Sequence, residues 1–140
     1  MSSPLHIGII GLGKMGQTRF HEFVAHPGAH VTHGADPDAS RFEKFPDVIC
    51  DTDPQTVIDS EVDAVHIATP NRLTPELVVQ ALDAGKHVLC EKPPGCSVED
   101  IETIREAEAR NPKCKLMFGF NHRYHAGIQE AKRIVDSGNL

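Results

Sequence analysis

The run IGIIGLGKMG, residues 7–16, decides how the rest of the chain is read. Residues 7–10, Ile7-Gly8-Ile9-Ile10, form a short apolar run of the kind that makes a strand buried on both faces. It leads straight into Gly11, Gly13 and Gly16, which stand in the G-x-G-x-x-G spacing. Phe20, Phe23 and Val24 follow at i, i+3 and i+4, the period of a helix face. In a dinucleotide site each glycine meets a separate steric demand. The first makes the strand-to-helix turn, the second lets backbone approach a pyrophosphate, and the third lets helix and strand pack closely. The phosphates then rest on the helix N-terminus, where free N–H groups and the macrodipole favour negative charge. Gly11, Gly13, Lys14, Met15 and Gly16 are therefore the candidate pyrophosphate contacts. A plain glycine-rich turn uses the same residues; the strand before it and the helix after it favour the nucleotide reading.

Downstream, strand and helix alternate. Residues 30–35 read as a second strand, and a short polar helix follows around residues 39–45. Residues 48–50 make a third strand, and Asp53-Pro54 opens a helix with Asp at N-cap and Pro at N1. The fourth strand, 63–69, is apolar at Ala64, Val65, Ile67 and Ala68, with His66 read as a satisfied core histidine. Thr74-Pro75 repeats the cap-then-proline pattern for a helix burying Leu77, Val78, Ala81 and Leu82, and Gly85 ends it. Residues 87–90 make the fifth strand. Ser97 with Asp100 approximates a capping box for a helix carrying Ile101, Ile104 and Ala107. A sixth strand spans 115–120. A last helix, about 123–137, takes Ile128, Ala131, Ile134 and Val135 as its core face. Six strands alternating with helices predict an α/β fold, a doubly wound parallel sheet in the order 3-2-1-4-5-6, with residues 1–140 as one unit.

With 140 residues, 39% apolar and 24% charged, the chain has the profile of a globular domain. Its formal net charge of −6 argues against nucleic acid or an anionic membrane surface as partner. No apolar run reaches the length of a membrane span. The start, Met1-Ser2-Ser3-Pro4, carries no basic-then-apolar leader, and Cys50, Cys90, Cys96 and Cys114 form no C-x-x-C pair. The expectation is a cytoplasmic protein with reduced thiols. His122 and His125 are not read as a metal pair, and no metal site is expected.

Ligands of such sheets bind beyond the carboxyl ends of the strands. That rule gathers the glycine turn, Asp36, Thr69 to Asn71, Glu91 to Pro93 and Asn121 to Arg123 around one crevice. Asp36 lies twenty residues after Gly16, at the end of the second strand. A carboxylate there accepts the hydroxyls of the adenosine ribose and repels a 2′-phosphate, which favours NAD over NADP. Asp36-Pro37 also reads as an N-cap followed by proline at N1, and Arg41 would meet a 2′-phosphate only against the charge of Asp36. Thr69, Pro70 and Asn71 would sit beside the phosphates and the nicotinamide-side ribose, or would serve only as a turn. Lys92, fixed by Pro93 at the mouth of a central strand, can donate hydrogen bonds there; a solvated surface lysine is the alternative.

Taken together, GLGKMG, the Asp36 position, ATPN at residues 68–71, ALDAGKHVLCEKPP and the later GFNHRY resemble the Gfo/Idh/MocA oxidoreductases along essentially the whole chain. The resemblance implies NAD(P)-dependent hydride transfer at a hydroxyl-bearing carbon of a sugar, cyclitol or related small molecule. It implies that Lys92 bonds the reacting hydroxyl and the nicotinamide ribose, that Glu91 and Pro93 complete the motif, and that Asn121 and Arg123 line the nicotinamide end. It also raises the expectation of a cis Lys92–Pro93 bond. Members of that family continue into an open-faced sheet domain that supplies substrate contacts, an Asp-x-x-x-His pair and the surface of a homo-oligomer. No residue of this sequence matches that catalytic histidine, so the 140-residue chain alone is expected to turn over nothing.

Two other readings accommodate a glycine turn and an acidic residue after the second strand: a nucleotide sensor without chemistry, and a methyltransferase. Lys92 in its Glu-Lys-Pro setting speaks against the first. The six-strand parallel pattern, ATPN and EKPP speak against the second.

Overall fold

A computed structural model of the protein describes residues 3–138; the outermost residues of the unit read as 1–140 lie outside the described residues. The elements run β1 (Leu5–Ile10), α1 (Lys14–Ala25), β2 (Ala29–Ala35), a 3-10 turn (Ala39–Lys44), β3 (Ile49–Asp51), α2 (Gln55–Ile58), β4 (Ala64–Ile67) and α3 (Thr74–Asp83). Then follow β5 (His87–Cys90), α4 (Val98–Arg110), β6 (Leu116–Phe118), a second 3-10 turn (Asn121–Tyr124) and α5 (Ala126–Asp136). The sheet order is β3-β2-β1-β4-β5-β6, and every pairing is parallel, as expected. The order reverses between β1 and β4, so the chain leaves these two neighbours toward opposite edges and opens a crevice at their C-terminal ends.

Parallel strands bury both faces, and the core divides accordingly. On one face Ile10, Val65, Ile67, Val88 and Cys90 pack with residues of α2, α3 and α4, including Val57, Val78, Leu82 and Ile104. On the other, Ile7, Ile9, Leu12 and Val31 pack with Phe20 of α1 and with Phe45. Ends are set locally. Ser97 and Asp100 form the expected reciprocal capping box at α4. Gly85, at φ 78°, closes α3 while Lys86 N–H donates to Ala81 O and Gly85 N–H to Leu82 O, both at 2.9 Å.

Several expectations need correction. The polar helix at 39–45 is a 3-10 turn capped by Asp38. Asp53 does accept the Gln55 N–H, at 2.9 Å, but the helix it opens is a single turn. Thr74 lies inside α3 rather than at its cap, buried, its hydroxyl 3.2 Å from that of Thr69. Val24 is exposed, since α1 meets the sheet through Phe20 and Phe23. The largest difference is α5. None of its residues is buried, and Ile128 and Val135 lie open to solvent. The helical period marks a face that favours cover; it does not supply the covering surface.

Candidate functional site

At the C-terminal ends of β1, β2 and β4 lies a cavity of about 420 Å³. Gly11, Gly13, Asp36, Arg41, Thr69, Pro70 and Arg72 line it together with apolar Ile10, Ala35, Leu73 and Leu77. The three glycines play unequal parts. Gly11 has φ 94°, and a Cβ there would stand 2.5 Å from the carbonyl of Ala68. A Cβ on Gly16 would collide with the carbonyl of Gly11. Both are demanded by the protein's own backbone. A Cβ on Gly13 would meet only the Arg41 guanidinium, at 3.2 Å, so this glycine keeps open space on the cavity side. Gly13 is also the N-cap of α1, and no side chain caps that helix, which leaves its first N–H groups available to an anion. Lys14 and Met15 are exposed on this first turn.

Asp36 is only 4% exposed. Its Oδ2 accepts the Leu12 N–H at 2.8 Å and the Arg41 Nη1–H at 2.9 Å, and its Oδ1 accepts the Asp38 N–H at 2.9 Å. The helix-cap alternative for Asp36 falls away, because Asp38 performs that job by accepting the Ser40 N–H. Three of the carboxylate's roughly four acceptor sites are thereby filled, and one on Oδ1 stays open to a further donor. Arg41 turns out to be its ion-pair partner, reaching Asp38 as well at 3.2 Å.

Thr69 and Pro70 border the cavity, while Asn71 is exposed beside it. Glu91, Lys92 and Pro93 stand at the end of β5, outside the cavity, and the Lys92–Pro93 peptide is cis. Lys92 and Pro93 are exposed; Glu91 is drawn inward, its Oε1 accepting Arg19 Nε–H at 2.7 Å. Asn121 and Arg123 occupy the exposed 3-10 turn after β6, with the Arg123 guanidinium 5.9 Å from the Tyr124 ring. The structure thus collects Gly11, Gly13, Asp36, Thr69 and Pro70 at one cavity. It leaves Lys92, Pro93, Asn121 and Arg123 along the neighbouring strand ends.

Sequence reading missed Arg41 as partner of Asp36, Arg72 as cavity wall, and Arg19 as partner of Glu91. Arg41, five residues beyond Asp36 on the same turn, was within reach of a local argument; Arg19 and Glu91 are 72 positions apart and carry no such signal. His66 is buried as expected, with its Nδ1 3.1 Å from Leu89 O, yet its Nε2 has no partner among the described residues. Burial pulls its pKa down to about 4, against the nearby Glu91 carboxylate, whose upward pull Arg19 opposes. Cys90 is no nucleophile, since burial and then Glu91 push its thiol up to about 12.

Residues 5–120 match the sequence profile of the Gfo/Idh/MocA oxidoreductase family, NAD-binding Rossmann fold. Inositol 2-dehydrogenase 3 of Saccharopolyspora erythraea is 33% identical over 141 residues, covering 97% of this chain and 42% of that protein. The crystal structure of myo-inositol 2-dehydrogenase from Lactobacillus plantarum superposes with a TM-score of 0.90 at 30% identity, over 99% of this chain and 42% of the other. That of scyllo-inositol dehydrogenase from Lactobacillus casei, with bound NAD(H) and scyllo-inositol, gives 0.91 at 28% identity over the same shares. The chain therefore spans about 42% of the length of these relatives.

Proposed function

Because the chain belongs to the Gfo/Idh/MocA oxidoreductase family and carries its NAD-binding Rossmann fold, we propose that it is the cofactor-holding part of a dehydrogenase. The reaction is hydride transfer between NAD and a hydroxyl-bearing carbon of a cyclitol, sugar or related small molecule. The observation that carries this reading is the buried Asp36 carboxylate, fastened to Leu12 N–H beside the open side of Gly13. A dinucleotide needs that combination: an acceptor for ribose hydroxyls next to a stretch of backbone that lets phosphate approach.

In this assignment Gly13 and the first turn of α1, with Gly11, Lys14, Met15 and Gly16, hold the pyrophosphate. Asp36 accepts the ribose hydroxyls and disfavours a 2′-phosphate. Thr69, Pro70 and Asn71 continue the path toward the strand ends, where Glu91, Lys92, Pro93, Asn121 and Arg123 serve the nicotinamide end. Bound there, the nicotinamide supplies the hydride acceptor or donor. Lys92 is the catalytic residue within the chain: its ammonium donates to the reacting hydroxyl and stabilises negative charge as the proton leaves. Residues beyond this chain would supply the substrate walls, the acid–base group and any homo-oligomer contact. No nucleic acid or membrane partner is proposed; among the described residues no helix is long and apolar enough to cross a membrane. The free cysteines suit a reducing, cytoplasmic setting.

Calorimetric titration of the 140-residue chain with NAD and NADP tests the reading. NAD should bind, and more tightly than NADP, while no panel of cyclitols and sugars should be oxidised by the chain alone. Failure to bind either cofactor would overturn it. Turnover by the short chain would place the acid–base group inside it.

A further inference from the structure

The Glu91 carboxylate is enclosed on three sides and bonded on one. Arg19, on the second turn of α1, donates to its Oε1 at 2.7 Å, and both side chains are largely buried, 18% and 12% exposed. His66 of β4 presents its unpartnered Nε2 4.0 Å from the same oxygen. At the end of β6, a Cβ on Gly119 would come within 2.8 Å of Oε2. The backbone is tied in as well, Glu91 N–H donating to Ile67 O and Gly119 N–H to Cys90 O.

Resting on the reading of Lys92 as the nicotinamide-end residue, we infer that Arg19 is a positioning residue for Lys92: through the Glu91 carboxylate it fixes the Glu91–Lys92 backbone to α1, the helix whose N-terminus opens the glycine turn. The two ends of the cofactor site are then joined by one buried ion pair rather than by the sheet alone. Electrostatics explain why the partner is a cation. His66 Nδ1 faces Leu89 O at 3.1 Å and must carry its proton there, so the bare lone pair of Nε2 faces Glu91. The neighbours of His66 on β1 and β5, Ile9 and Leu89, are apolar, and Phe23 of α1 stacks edge-on at 5.9 Å. The charges acting on it are Glu91 and Arg19. Without Arg19 a carboxylate would face a lone pair in a nearly dry space, an arrangement that either moves Glu91 outward or draws a proton onto His66.

The test uses the full 140-residue chain with Arg19→Met, Arg19→Lys and Gly119→Ala, followed by nuclear magnetic resonance. Adding NAD to the parent should shift the Gly13 and Lys92 amide resonances. In Arg19→Met the Gly13 shift should persist and the Lys92 shift be lost, while the His66 titration midpoint rises by about one pH unit or more. Arg19→Lys should restore both. Gly119→Ala, which presses on Glu91 with Arg19 intact, should cost the Lys92 shift without touching Gly13, and it carries the test should Arg19→Met fail to fold. A merely structural ion pair would lower thermal stability and leave the Lys92 response unchanged, which would overturn the inference; the His66 midpoint rises in either case, because the Arg19 charge is gone, and serves to show that Glu91 still faces His66. Loss of both amide shifts in the parent would instead defeat the cofactor assignment itself.

Discussion

The Asp36 carboxylate, at the end of β2, accepts a 2.8 Å hydrogen bond from the backbone N–H of Leu12 inside the glycine-rich turn. Leu12 is fully buried, so that N–H has no recourse to water. One carboxylate oxygen therefore helps to build the turn, and the acceptor site left on Oδ1, with the one a ligand would take from Arg41, serves a ligand.

Asp36→Ala should consequently do more than weaken NAD. It leaves a buried N–H unpaired, at a cost of about 1–3 kcal/mol, so the thermal midpoint should fall by several degrees. Asp36→Asn, whose amide oxygen still accepts from Leu12 but whose NH2 cannot accept from Asp38 N–H, should recover part of that lost midpoint while narrowing the gap between NAD and NADP. Scanning calorimetry and cofactor titration of both variants check this; equal midpoints would remove the structural share of the role.

The three glycines should separate by phenotype. Gly11→Ala and Gly16→Ala drive a Cβ into backbone and should unfold the chain or lower its midpoint sharply. The Cβ of Gly13→Val would meet only the half-exposed Arg41 guanidinium and no backbone, so the variant should keep a cooperative transition and lose NAD affinity by about tenfold or more. Circular dichroism melting paired with NAD titration tests the split. Unaltered NAD affinity in Gly13→Val would remove it from the pyrophosphate path.

Arg41 compensates the charge of Asp36 at 2.9 Å, and this tempers repulsion of a 2′-phosphate. Arg41→Ala should leave NAD binding within about threefold and weaken NADP by about tenfold, widening the preference for NAD. Competition titration at fixed ionic strength measures the ratio; an unchanged ratio would show that Arg41 plays no part in it.

His66 gives the fold an acid limb. Its pKa is lowered to about 4 in the folded chain, from an ordinary 6.5, by burial first. Between these values the unfolded state binds more protons, so stability falls as the pH drops from about 6.5 and levels off near 4, for a loss of about 3 kcal/mol. His66→Gln should flatten that limb without changing the slope below pH 4. Urea unfolding across the range checks it, and a slope that survives the substitution would assign the acid sensitivity to carboxylates.

Much of the architecture is legible locally because local sterics and burial dictate it. The apolar runs name the strands, Ser97 with Asp100 opens α4 and Gly85 closes α3, and Gly11 and Gly16 stand where only hydrogen fits. The strand order follows from right-handed crossovers, and Asp36 follows from its distance to the turn. What the tertiary structure decided depends on side chains that meet only after those crossovers form. Arg19 reaches Glu91 across 72 positions, Thr74 turns inward to Thr69, and Arg41 folds onto Asp36 rather than away from it. Even α5, with its clear helical period, stands uncovered. Periodicity records which face a segment prefers to bury, while the partner of a charge or an apolar face is fixed by three-dimensional proximity, which no short window of sequence contains.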